Sequence, residues 1–81
     1  MNDNIEGQVV DLIRYNLAIE NREIMLDDNL VEDLQADSLD IVELNAAIEN
    51  EFCIDIDDSD FEELKTVQDI ITFIQLMDKN K

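Results

Sequence analysis

The chain has 81 residues, and 22 acidic against 5 basic side chains give it a net charge of −17. This length allows one small domain, while a hydrophobic content of 46% is too high for a disordered acidic tail. The charge argues against binding to nucleic acid or anionic lipid, whose phosphates would be repelled, and favours partners with basic surfaces. No apolar run is long enough for a membrane span or a secretory signal, so no membrane insertion is expected.

The sequence contains no proline, no repeat and a single glycine, Gly7. Because nothing marks an internal boundary, we expect residues 1–81 to form a single domain. We also expect this domain to be a monomer. The only cysteine, Cys53, cannot form an internal disulfide, which favours a reduced, cytoplasmic setting. In "EFCIDI" we interpret Cys53 as a small, half-buried apolar residue without a chemical role.

The first predicted helix covers residues 5 to 17. Asp3 or Asn4 can cap its start, and its apolar residues recur at the spacing of one helical face: Ile5, Val9, Leu12, Ile13 and Leu17. From residue 18 to 37 this periodicity is lost, although apolar residues continue to occur. A connection of this length must be held by those side chains, so we expect a packed loop with room for a short helical turn.

The second predicted helix begins at a capping pattern, Asp37 followed three residues later by Asp40, and runs to about residue 50. Ser38 lies in its first turn. After it, alternating apolar residues at 52, 54 and 56 resemble a strand, but a lone short strand would have no partner, so an extended connector is preferred.

Two further helices complete the predicted fold. A short third helix over residues 57 to 64 would bury Phe61 and Leu64. Thr66 and Asp69 form another capping box before a last helix that ends near residue 78. The sequence therefore predicts an all-α fold, a small four-helix bundle of three main helices and one short helix, with a long packed loop between helices one and two.

The second helix carries two apolar stripes. Ile41, Leu44, Ile48 and Phe52 suffice as its core face. A second stripe is formed by Leu39, Val42 and Ala46. A wide core face would explain both, but acidic residues flank the second stripe, and an apolar strip bordered by charge is typical of docking surfaces. These acids are Asp37, Asp40, Glu43, Glu49 and Glu51.

Ser38 lacks the surroundings of a catalytic nucleophile. The sequence has no histidine, no lysine lies near Ser38 in the chain, and the G-x-S-x-G pattern is absent. An attachment point fits better, because the modifying enzyme would then supply the base. The start of a helix also suits a phosphate ester, since free backbone N–H groups and the positive end of the dipole offset its charge.

The stretch "DSLDIVEL" at residues 37–44 resembles the phosphopantetheine attachment motif of acyl carrier proteins. The match extends through "VEDLQADSLDIVELNAAIENEF" and the downstream "TVQDIITFI", and so covers most of the chain. With Asp40 after the leucine, the motif is more similar to the discrete carriers of bacterial-type fatty acid synthesis than to peptidyl carriers.

The resemblance implies a four-helix bundle in which Ser38 bears phosphopantetheine, transferred from coenzyme A, through a phosphodiester. The thiol of this arm would hold acyl groups as thioesters and present them to enzymes of fatty acid, or related polyketide or lipid, biosynthesis. The chain would then be a carrier and not an enzyme. Its expected partners are a phosphopantetheinyl transferase and acyl-processing enzymes with basic docking patches. The resemblance assigns the docking contacts to Asp37, Leu39, Asp40, Val42, Glu43, Ala46 and Glu49.

The sequence departs from the family pattern at several positions. Gln35 stands where glycine is common, so the turn before Ser38 is expected to be less free to adopt a positive φ. The first loop reads "NLAI" where a glycine is also common. Ala46 is smaller than the usual methionine, which predicts a weaker grip on some partners.

Two other functions would explain part of the sequence. A calcium-binding loop could begin at Asp55, but its sixth position is Asp60 where glycine is needed and its twelfth is Thr66 where glutamate is needed, so a regular EF-hand is not expected and no metal site is predicted. The main alternative is an acidic, non-catalytic interaction module that blocks or bridges basic protein surfaces. It would explain the charge and the second stripe but would give Ser38 no task.

Overall fold

In the computed structural model, residues 5–19 and 23–79 are described. They form four helices: α1 (Ile5–Asn16), α2 (Ser38–Phe52), α3 (Asp58–Phe61) and α4 (Val67–Lys79). No strand occurs within these ranges, where extended pairing is limited to an isolated bridge between Asn29 and Thr66. The predicted all-α fold is thus confirmed. The two proposed caps of α1, at residues 3 and 4, lie outside the described residues.

The core lies where α1 packs against α2 and α4. Each of these helices turns one aliphatic face inward, as their spacing predicted, and burial of such a side chain stabilises the fold by about 1.5–3 kcal/mol. The core residues of the four helices are Val9, Ile13, Leu44, Ile48, Phe61, Val67, Ile70, Ile71 and Ile74. None of the described helices is long and apolar enough to cross a membrane.

The described part of the loop between α1 and α2 is packed, as expected. Its buried residues are Ile24, Leu30, Leu34 and Ala36. A short helical turn begins at Asn29, whose carbonyl oxygen accepts hydrogen bonds from the backbone N–H groups of Asp33 and Leu34 at 2.9 and 3.0 Å. The loop is also tied to the segment before α4, because the backbone N–H of Leu30 donates to the carbonyl oxygen of Lys65 at 2.9 Å.

Helix α2 ends two residues later than predicted. Cys53 closes it in the left-handed conformation, with φ 57° and ψ 48°, and its backbone N–H donates to the Glu49 carbonyl oxygen. The Cys53 side chain is exposed. The prediction of a half-buried residue was therefore wrong, because the left-handed end of the helix leaves Cys53 at the surface. In the connector that follows, Ile54 packs partly against the core and Ile56 is buried.

The last two helices lie where they were predicted, and α4 ends at Lys79, close to the predicted end. Helix α3 is shorter than expected. Phe61 is buried as predicted, whereas Leu64, which was also predicted to be buried, lies beyond the end of the helix and is half-buried. The capping box before α4 is confirmed. The Asp69 backbone N–H donates to Thr66 Oγ1 at 3.1 Å, and the Thr66 backbone N–H donates to Asp69 Oδ2 at 3.2 Å.

Candidate functional site

Ser38 is the first residue of α2 and is exposed. Asp37, just before Ser38, and Asp40, two residues after it, form the predicted capping box: Asp37 Oδ1 accepts from the Asp40 backbone N–H at 2.9 Å, and Asp40 Oδ2 accepts from the Asp37 backbone N–H at 3.2 Å. The two carboxylates therefore fix the start of the helix. Among the described residues, none hydrogen-bonds to the Ser38 hydroxyl.

The turn that leads into Ser38 passes through a left-handed residue. Gln35 has a φ of 61°, the value for which glycine would be the usual residue. Sequence analysis expected glutamine to resist this conformation, but the surrounding contacts impose it. The following residue, Ala36, is buried and its backbone N–H donates to the Leu30 carbonyl oxygen at 2.9 Å. Ser38 is thus held at the surface by a strained but anchored turn.

The second apolar stripe of α2 is exposed. Leu39 is 66% and Val42 63% accessible, and Ala46 is also exposed. The alternative of a wide core face is therefore wrong. The first stripe does face the core, with Leu44 and Ile48 buried, whereas its outer members at 41 and 52 are half-buried.

The acids that border the second stripe are not equivalent. Asp37, Glu43 and Glu51 are exposed, and Asp40 is half-buried within its capping box. The half-buried Glu49 is turned to the connector, where its Oε2 accepts from the Ile56 backbone N–H at 2.7 Å. Glu49 therefore has a structural bond, one that its position beside the stripe did not reveal. In the described ranges, no group of three or more potential metal-ligating side chains was found.

A half-open cleft of about 510 Å³ lies beside Ser38. This volume falls within the range of about 300–1,000 Å³ that is typical of small-molecule sites. The cleft runs between α2, the loop before it and α3, and its surface is largely apolar. Its lining residues include Val31, Ala36, Ser38, Ile41, Asn45 and Phe61.

Sequence analysis missed Asn45 and Val31 as cleft residues. Asn45 is 7% accessible and belongs to the face of α2 that also bears Ile41 and Ile48. A polar residue at helical spacing from core residues was a signal that could have been noticed. Val31 gave no comparable signal, because its position follows from the folding of the loop over α2.

Comparison with known proteins identifies this arrangement. Residues 7–74 match the family described as "Phosphopantetheine attachment site". The chain is 40% identical to an acyl carrier protein of Campylobacter hominis over 74 residues, which is 91% of this chain and 94% of the relative. It is 44% identical to an acyl carrier protein of Rickettsia canadensis over 73 residues, 90% of this chain and 85% of the relative.

The chain belongs to the acyl carrier protein family. A solved structure of a putative acyl carrier protein from Mycobacterium tuberculosis has the same fold, with a TM-score of 0.84 and 33% identity over 90% of this chain and 97% of that one. The cofactor of this acyl carrier is phosphopantetheine, and its role is to carry acyl groups. The alternative of an acidic interaction module is not favoured. Acyl carrier proteins are carriers rather than catalysts, and their role implies a phosphopantetheinyl transferase and acyl-processing enzymes as partners.

The surroundings of Ser38 are compatible with a phosphopantetheine arm. An exposed hydroxyl at the first residue of a helix gives a transferase free access, and nearby backbone N–H groups can offset the charge of a phosphodiester. The adjoining cleft offers apolar surface within reach of the same residue.

Proposed function

We propose that Ser38 is the residue that bears phosphopantetheine in this acyl carrier, and that the chain itself performs no catalysis. The observation that carries the proposal is the exposed Ser38 hydroxyl between the reciprocal caps Asp37 and Asp40, beside an apolar cleft. No histidine occurs in the sequence, so a partner must supply the base that removes the hydroxyl proton. When bound, the arm supplies a thiol that holds acyl groups as thioesters.

The chain provides a matched control for this assignment. Its only other serine, Ser59, is also exposed and is also flanked by two aspartates, in α3. We expect the intact mass of the wild-type chain to rise by one arm after incubation with coenzyme A and a phosphopantetheinyl transferase. Ser59→Ala should gain the same mass, and Ser38→Ala should gain none. Loss of modification in Ser59→Ala but not in Ser38→Ala would assign the arm to α3 and refute the proposal.

We further propose that the exposed stripe and its acids form the docking surface for partner enzymes. The apolar members Leu39, Val42 and Ala46 present accessible surface that a partner can bury on binding. The buried centre of protein interfaces is typically apolar. The acidic members would attract basic patches and increase the rate of association, an effect that salt should reduce. The acids in this group are Asp37, Asp40, Glu43 and Glu49.

The bond between Glu49 and Ile56 bears on how these acids would contribute. One carboxylate oxygen of Glu49 is held by the connector, so this residue would act on partners through its remaining oxygen and its charge. Asp40 has a similar double task, because it also stabilises the start of α2. Glu43 is exposed and is the residue whose substitution would test docking alone.

The cleft beside Ser38 would shelter the acyl chain. Ile41 and Phe61 line it with apolar surface, and each buried methylene would contribute about 0.8 kcal/mol. The pathway proposed is fatty acid biosynthesis, or a related polyketide or lipid pathway, in a cytoplasmic setting and with the carrier as a monomer. The setting accords with the single exposed Cys53, which has no cysteine partner in the sequence.

A further inference from the structure

The wall of the cleft contains a polar residue that its surroundings do not satisfy. Asn45 lines the cleft and is 7% accessible. Its Nδ2 donates to the Ile56 carbonyl oxygen over 3.5 Å, which is long for such a bond. Its Oδ1 is fully buried and accepts no hydrogen bond from the described residues.

An unsatisfied buried acceptor is costly, and most buried polar side-chain atoms in proteins have a partner. An apolar side chain of the same size at position 45 would remove this cost, because the neighbouring cleft residues Ile41 and Phe61 are apolar. The amide therefore weakens the folded chain unless something that enters the cleft supplies a donor. A saturated acyl chain has no donor, whereas a hydroxylated acyl chain has one.

We infer that Asn45 makes the cleft selective for acyl chains that bear a hydroxyl group, which donates to Asn45 Oδ1 once the chain is inside. This inference rests on the proposed attachment of the arm at Ser38. Asn45 follows Ser38 by roughly 10 Å along the helix axis, about two turns. It is 7% accessible whereas Ser38 is exposed, so the amide lies deeper in the cleft than the attachment residue. The hydroxyl must enter the cleft to reach it.

The selectivity is thermodynamic, and because Oδ1 is fully buried, the wall of the cleft must open locally for the hydroxyl to reach it. A hydroxyl that enters an apolar cleft loses its bonds to water, and the acceptor of Asn45 replaces one of them. With an aliphatic side chain at position 45 this compensation is lost, and the same hydroxyl disfavours entry. The preference between hydroxylated and saturated chains should therefore depend on the residue at position 45.

A two-by-two comparison measures this dependence. The transferase loads the full chain with non-hydrolysable octanoyl arms that are saturated or hydroxylated at carbon 3, 5 or 7, in the wild type and in Asn45→Leu. The urea unfolding equilibrium of each loaded form is then determined. We expect the hydroxylated-to-saturated ratio of folding constants to be about 5-fold higher in the wild type than in Asn45→Leu for at least one hydroxyl position, the effect of one ordinary hydrogen bond.

Two controls narrow the interpretation. Asn50→Leu makes the same change at an exposed position of α2 and should leave the ratio as in the wild type. An arm with a carbonyl group at the same carbon offers no donor and should not be favoured by the wild type over the saturated arm. The comparison of hydroxylated, carbonyl-bearing and saturated arms needs only the wild-type protein, so it tests the selectivity even if Asn45→Leu fails to fold.

The outcomes separate this inference from the assignment of Ser38. Absence of any mass gain on the wild-type chain would refute the attachment itself. Normal loading with the same ratio in wild type and Asn45→Leu, at every hydroxyl position, would overturn the inference alone. The stability of the chain that carries the arm without an acyl group is a further measure. If Asn45→Leu changed that stability as much as it changes the stability of the hydroxyacyl form, Asn45 Oδ1 would be a partner of the arm itself, and the inference would also be overturned.

Discussion

Replacing Gln35 with glycine should stabilise the domain. Gln35 has a φ of 61°, and a left-handed conformation costs a residue with a Cβ about 1–2 kcal/mol. Glycine adopts it without that cost but loses more backbone entropy on folding, which offsets about 0.5–1 kcal/mol. The side chain of Gln35 is exposed, so its removal sacrifices no buried contact. The two figures leave a net gain of up to about 1.5 kcal/mol in the free energy of unfolding.

The same substitution within a helix provides the matched control. Gln75 is also an exposed glutamine, but it lies inside α4, where glycine costs about 1 kcal/mol. Gln35→Gly and Gln75→Gly should therefore change stability in opposite directions. Because both remove the same side chain, the difference reports the backbone conformation at position 35.

Urea denaturation at fixed salt concentration measures both variants, with the slope of the transition expected to stay constant. In a domain of this size, 1 kcal/mol corresponds to a shift of about 4–8 °C in Tm. Ala18→Gly offers a second test, since Ala18 has a φ of 53° at the end of α1 and is also exposed. If Gln35→Gly destabilised the protein as much as Gln75→Gly does, the left-handed turn before Ser38 would be refuted.

Three further predictions concern the acidic residues. Glu49→Ala should lower the free energy of unfolding by about 1–2 kcal/mol, because the 2.7 Å hydrogen bond from the Ile56 N–H is lost. The control Glu51→Ala, at an exposed position of the same helix, should change it by less than about 0.5 kcal/mol. Equal effects of the two substitutions in urea denaturation would show that this hydrogen bond contributes nothing. Glu43→Lys should slow loading of the arm several-fold with little change in Tm, whereas Asp11→Lys, at an exposed position of α1, should load at the wild-type rate. Mass spectrometry over time measures the loading rate. Equal loading rates for the two variants would count against the docking surface. Added salt or millimolar magnesium should raise Tm, because a net charge of −17 makes the folded chain repel itself, and a constant Tm would show that this repulsion does not limit stability.

The starts of α2 and α4 were predictable because they depend on neighbours in sequence. Both begin at capping boxes, Asp37 with Asp40 and Thr66 with Asp69, whose bonds join residues three apart. The position of Ser38 at a helix start follows from the first of these. The ends of helices were less predictable. Helix α2 continues to Phe52 because its last turn packs partly into the core and Cys53 then adopts a left-handed cap.

The left-handed residues were not predictable, because none of them is glycine. Ala18, Gln35 and Cys53 all have a positive φ. In each case the intrinsic preference of the residue opposes the observed conformation, and tertiary contacts outweigh it. Sequence analysis could recognise that Gln35 departs from the family pattern but not that the turn keeps its shape.

The sequence by itself determined the helical class, the exposed Ser38 at the start of α2, the two stripes of that helix and the family, because periodicity, caps and motifs are local patterns. Only the tertiary structure decided which stripe faces solvent, that Glu49 binds the connector, and that Asn45 lies in the wall of a cleft beside Ser38. These features depend on segments distant in sequence, the loop before α2 and the connector to α3, which must fold against α2 before any of its side chains has its final surroundings.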